Sequence, residues 1–103
     1  MSETRVSPGQ CRTMAEVRHG VDRLDEQIVA LLAERFRYMD AAARIKSSRE
    51  AVRDEARKGE VLGNVRRLAD ESAIPVHVAE DIYDRLVEGS IAYEFMQFDA
   101  RRG

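Results

Sequence analysis

The stretch from Ala15 to Lys46, AEVRHGVDRLDEQIVALLAERFRYMDAAARIK, constrains the rest of the chain more than any other. It holds no Pro and no cluster of turn residues, and Gly20 is its only Gly. Val17, Val21, Leu24, Ile28 and Leu31 recur at three- and four-residue spacing, the signature of one helical face. Val29, Leu32, Phe36, Met39 and Ala43 form a second apolar row beside it. A helix of this extent is about 48 Å long at ~1.5 Å per residue. A compact domain of about a hundred residues has a radius of gyration of only about 13 Å. The helix is therefore expected to protrude from its own monomer, with its doubled apolar surface covered by another chain. The stretch alone points to an interlocked dimer.

The rest of the chain reads as two shorter helices. Residues 1–13 are polar, contain Ser7-Pro8-Gly9 and read as a flexible leader to a helical domain over 14–103. Thr13 is a plausible N-cap of the long helix, with Glu16 as its capping-box partner. After the polar connection Ser47 to Glu50, Asp54 is placed to cap a second helix running to about Ser72, with Val61, Leu62, Val65, Leu68 and Ala69 as its apolar face. Gly59 and Gly63, four apart, weaken that helix intrinsically or let another helix come close. Ile74-Pro75 interrupts the pattern. A third helix follows from about Val76 to Phe98, with Ile82, Leu86, Tyr93 and Met96 on one side and Val87, Ile91 and Phe98 beside them. The fold class is all-α, three helices per chain in an intertwined homodimeric bundle.

Composition narrows the function classes. With 103 residues the chain is one domain at most, and a net charge of -2 offers no global basic field to nucleic acid. No apolar run reaches membrane-spanning length, and MSETRVSPGQ lacks the hydrophobic core of a signal peptide, so a cytoplasmic protein is expected. The lone Cys11 has no partner for an intrachain disulfide. His19 and His77 have no His or Cys neighbour at ligand spacing, so no metal site is assigned. No nucleophile–base pair, phosphate loop or paired-carboxylate motif is visible.

The informative charges are those that fall on apolar faces. Arg35 extends the Val21–Ile28 row, and Lys46 lies eleven residues further on. Eleven residues turn a helix through about 1100°, leaving the two side chains about 20° apart in direction and about 16 Å apart along the axis. Two long cations leaning together would frame a small dianion. The same spacing also fits an Arg35 that snorkels and a Lys46 that only charges the last helical turn, and spacing alone does not separate these. At a helix end, Lys46 is expected to matter little for stability. Glu94 lies among Val87, Ser90, Ile91 and Phe98, where a carboxylate must meet a cation or carry a proton. A salt bridge to a distant Arg would satisfy it equally.

This pattern resembles the all-helical class of chorismate mutases. The resemblance runs from about Met14 to Met96 and is carried by VRHGVDRLDEQIVALLAERF, ARIK, VRDEARK and SIAYE, in that order. The first segment has the family's opening Arg, an Asp-x-x-Asp (Asp22, Asp25) and then Leu-Leu-x-x-Arg (Leu31 to Arg35). The resemblance implies an intertwined dimer with two equivalent sites and a cofactor-free rearrangement of chorismate to prephenate. It implies that Arg18, Arg35, Lys46 and Arg57 hold the substrate's two carboxylates, and that Lys46 also reaches the ether oxygen of the breaking bond. Asp54 matches a residue near the ring hydroxyl, Ser90 a pocket serine, and Glu94 the position usually held by Gln as second donor to the ether oxygen. Arg18 lies about 25 Å along the axis from Arg35 and on another face. It can join the same small ligand only from the partner subunit.

Two departures are visible. Where the family often has a Glu after the second-helix Arg, this chain has Lys58, and its loop between Lys46 and Asp54 is about one residue shorter. Both features, and the opening CRTMAEVR, are similar to the isochorismate–pyruvate lyases, relatives that form salicylate. The shortened loop leaves Arg57 and Lys58 as alternatives for the pocket cation, with VRD favouring Arg57. A non-catalytic, regulatory mutase-like helical module is the third reading. The Arg retained on an apolar stripe argues against it.

Overall fold

The computed structural model describes residues 5–102, which form three α-helices: α1 (Met14–Ile45), α2 (Glu55–Glu71) and α3 (Val76–Arg102). Single 3-10 turns stand at Pro8–Gln10 and Arg49–Ala51, and the described residues contain no strand. Among the described residues no helix is long and apolar enough to cross a membrane. The chain divides into two compact units between Arg37 and Tyr38, inside α1.

In the first unit, α1 starts where its capping residues place it. The Glu16 N–H donates to Thr13 Oγ1 at 3.1 Å, and Glu16 Oε1 accepts from the N–H groups of Thr13 at 3.3 Å and Arg12 at 2.7 Å. Two main-chain donors that the helix start leaves open, and that of Arg12 just before it, are thus used locally. Of the leader expected to be flexible, residues 1–4 lie outside the described residues. The remainder holds the turn at Pro8–Gln10, closed by the Cys11 N–H on the Pro8 carbonyl at 3.3 Å. The Val17–Leu31 row of this part of α1 stays open to solvent, with Ile28 50% and Leu31 66% exposed, whereas in the second row Val29 is 63% exposed and Leu32 and Phe36 are half-buried. No described residue before Tyr38 is buried.

The second unit holds the core: Ala43 from α1, Val52 from the connection, and Val87, Ile91 and Phe98 from α3, flanked by Val61 and Phe95. Of the two rows expected on α3, the one through Val87, Ile91 and Phe98 faces inward, while Ile82 and Met96 are exposed. On α2, Val65 and Ala69 are buried and Leu68 is half exposed. Among the described residues no second helix comes close to Gly59 or Gly63. A Cβ at Gly59 would meet nothing, and one at Gly63 only the head of Arg66.

Helix ends carry much of the remaining detail. Asp54 caps α2, its Oδ1 accepting from the Arg57 N–H at 3.0 Å. At the other end the Ile74 N–H reaches the Ala69 carbonyl at 2.9 Å and the Ala73 N–H reaches that of Asp70 at 3.3 Å. This is a Schellman closure, and it turns Ala73 to a φ of 60°. α3 extends one turn beyond the expected stop at Phe98, because Asp99 and Arg102 find partners across the unit.

Charged pairs tie α2 and the connection to α3. Arg53 donates to both Glu88 oxygens at 2.6 and 3.2 Å, and Lys58 reaches Glu88 at 2.6 Å and Asp84 at 3.0 Å. Arg66 pairs with Glu80. The Arg53 guanidinium, and then the Lys58 ammonium, hold the Glu88 carboxyl down to about 2.

Two outcomes follow from this architecture. Ala73 pays the left-handed penalty that Gly escapes, so Ala73→Gly should raise stability by about 0.5–1 kcal/mol in urea unfolding, net of Gly's larger unfolded-state entropy. No gain would mean that residue 73 is not held in that conformation. For Glu88, a carboxyl lowered on folding stabilises the fold above its ordinary value near 4.5 and loses that contribution as pH falls through about 2. The stability difference between wild type and Glu88→Gln should therefore shrink steadily from pH 5 to pH 2. A difference independent of pH would show that Arg53 and Lys58 do not hold the carboxylate.

Candidate functional site

The best-defined constellation sits where the end of α1 meets α3. Glu94 is 4% exposed, on a row with Ser90 and Phe98. Facing it is Lys46, just past the last residue of α1, with Nζ 2.7 Å from Glu94 Oε2 and 3.5 Å from the Val52 carbonyl. The Lys46–Glu94 contact is a charge pair without the alignment of a hydrogen bond. Among the described residues no group donates a well-directed bond to Glu94 Oε2. A buried carboxylate with a cation beside it and an acceptor position still open can take a further polar partner.

Lys46 thus does more for the fold than its place at a helix end suggests. Removing it would leave Glu94 buried without its counter-charge, at a cost of about 1–3 kcal/mol once the partial exposure of Lys46 is allowed for. The expectation that Lys46 is dispensable for stability is corrected on that ground. The other open question about Glu94 also has an answer: its cation is this Lys, not a distant Arg.

The remaining residues singled out by sequence fall into separate places. Ser90 is buried, and its hydroxyl donates to the Leu86 carbonyl one turn back at 2.7 Å. Asp54 and Arg57 share the start of α2, where Asp54 is engaged as the cap and the exposed Arg57 head pairs with Glu60 at 3.1 Å. Lys58, the alternative to Arg57, is committed to Asp84 and Glu88. Their carboxylates raise its ammonium above the usual lysine value, the hydrogen bond to Glu88 contributing most. Arg18 and Arg35 belong to the first unit, Arg18 exposed and Arg35 half-buried.

Three contributors escape sequence reasoning. Val52 enters through its carbonyl, which any residue carries. Tyr93 donates to Asp40 Oδ1 at 2.8 Å, and that bond, with burial, pushes its phenol up. Arg102, in the last turn of α3, reaches the carbonyls of Ala43 and Lys46. The first leaves no periodic trace, and the place of Tyr93 on an apolar row does not reveal its hydroxyl's partner. The last would have required extending the four-residue spacing Glu94, Phe98, Arg102 past the point where apolar residues stop.

Comparison with known proteins agrees with an all-α chain of three helices. The isochorismate pyruvate lyase of Pseudomonas aeruginosa is 29% identical over 97 residues, a span covering 94% of this chain and 96% of that protein. The pattern that defines chorismate mutase type II matches residues 17–95, a span that includes every candidate residue from Arg18 to Glu94, and the chain belongs to that family.

Proposed function

We propose that the chain rearranges chorismate to prephenate in a site built around Lys46. The observation that carries this reading is the meeting of Lys46 with the buried Glu94, 48 positions apart in sequence and 2.7 Å apart in space. The reaction is pericyclic and calls for no cofactor or nucleophile. Its barrier falls when the substrate is held in its compact reactive conformer and when charge developing on the ether oxygen is met by fixed donors. Lys46 is the donor to that oxygen. Arg35 and Arg57 hold carboxylates, Asp54 lies toward the ring hydroxyl, and Ser90 lines the pocket. Arg18 enters from a second copy of the chain, which also covers the open row of α1. Soluble proteins rarely leave apolar surface of that extent in water.

Two observations favour cleavage of isochorismate to salicylate and pyruvate as the second reading. The full-length relative from Pseudomonas aeruginosa bears that name. Lys58 stands where a mutase often carries a hydroxyl-accepting Glu, and its ammonium is taken by Asp84 and Glu88. Incubation with chorismate and isochorismate separately, following prephenate, salicylate and pyruvate, distinguishes the two. Prephenate from chorismate is expected; salicylate and pyruvate from isochorismate with negligible prephenate would reverse the order. In the same assay, mixing an Arg18→Ala chain with an Arg35→Ala chain, each inactive alone, should restore part of the activity. Exchange of subunits without any recovery rules out a site shared between copies.

Glu94 sets the second expectation. Beside Lys46 it serves as a counter-charge, whereas a donor to the ether oxygen must carry a proton. A Gln donates at any ordinary pH. Glu94→Gln should keep or raise turnover at neutral pH, because the amide donates without having to gain a proton. A folded Glu94→Gln protein that loses most of its turnover would show that Glu94 does not face the ether oxygen.

A further inference from the structure

Both ends of Lys46 are held from α3, and one of the two holds comes from a residue that the functional reading does not use. Arg102 donates from Nη1 to the Ala43 carbonyl at 2.8 Å and from Nη2 to the Lys46 carbonyl at 2.6 Å. These carbonyls stand at the end of α1, where a helix leaves its last acceptors without partners in its own ladder. One guanidinium closes both of them from a neighbouring helix. Its planar fork suits two acceptors, where an ammonium would act as a single point of charge. A cation at this end also complements the dipole of α1. The guanidinium carbon lies 3.8 Å from the centre of the Phe98 ring, and Phe98 is part of the buried core, so the fork rests on a fixed surface.

Glu94, Phe98 and Arg102 follow one another at four-residue intervals and form one row along α3. That row meets Lys46 twice, at the ammonium through Glu94 and at the main chain through Arg102. The Lys46 N–H is bound in turn by the Ala42 carbonyl at 2.9 Å. We infer that Arg102 is a positioning residue: it clamps the main chain of Lys46 to α3 so that the ammonium is delivered to Glu94 and to the ligand beside it. Arg49, paired with Asp99 and lying over Phe95 at 4.5 Å, tethers the following turn in the same sense but from an exposed position. The effect of the clamp on turnover rests on the functional reading above. The clamp itself does not.

The chain has two lysines, Lys46 and Lys58, so 13Cε-lysine labelling reports the first directly and the second as an internal reference. Arg102→Ala, Arg102→Lys and the neighbouring Arg101→Ala are compared with wild type after circular dichroism confirms equal helicity. In Arg102→Ala the Lys46 signal should shift or broaden while that of Lys58 stays. Amides 43–47 should exchange about ten-fold faster. Turnover should fall about ten-fold, with kcat changing more than KM, because a misplaced donor costs the chemical step more than binding. Arg102→Lys should recover part of each change, and Arg101→Ala should match wild type. An unchanged Lys46 signal with unchanged exchange overturns the clamp. A displaced Lys46 signal with full turnover overturns its role in positioning. Should wild type convert neither acid, the functional reading fails while the lysine spectrum and the exchange rates still decide the clamp. Should Arg102→Ala not fold, Arg102→Lys carries the same comparison through the loss of one bond of the two.

Discussion

A carboxylate on the apolar face of a helix persists only if a counter-charge reaches it, and the second unit of this chain is arranged so that one does. Glu94 lies inside α3's buried row, and its cation comes from the residue that follows the end of α1. Delivering Lys46 there requires α1 to end at one place, the connection to turn at once, and Val52 to enter the core beneath it. The apolar residues around this point are small in number, and none of the large side chains is completely enclosed. Much of the arrangement therefore depends on charged and main-chain contacts, which are directional where apolar burial is not. A buried pair is a weak source of net stability, since desolvation offsets much of its attraction. Its effect is on which arrangement is adopted.

Much of this was legible in the sequence, and the legible parts share a cause. The Thr13–Glu16 capping box, the Asp54 cap and the break at Ile74-Pro75 act through residues within a few positions of each other, so local chemistry decides them. The oddity of Glu94 was visible because a charge interrupts an apolar period. Its partner was not, because Lys46 serves equally well as an ordinary helix-end charge until α3 is placed against it. The end of α3 was underestimated for the same reason: Asp99 and Arg102 look like solvated residues and owe their helical state to Arg49 and to α1. Ala73 shows the reverse case. Nothing in an Ala announces a left-handed φ, which the closure between α2 and α3 imposes on whichever residue stands there.

The first unit states a different condition. Its first apolar row remains open within the described residues, and its second is only partly covered, with Val29 exposed and Leu32 and Phe36 half-buried. The helix there is specified by its caps and by its propensity, and packing within the chain adds little. The family's membership and the seven candidate residues all fall within residues 17–95, so both units contribute to what the family shares.

The Arg102 clamp also bears on the order in which the molecule assembles. Helical turns join residues four apart and close on a microsecond scale or faster, whereas Arg102 is 56 positions from Lys46 and 59 from Ala43. Long-range closures of that kind are reached only after the search for topology is complete. A chain with most of its helical content can therefore still lack a fixed Lys46. Helicity and competence separate in time during folding, and the same contacts are the ones first surrendered when α3 frays.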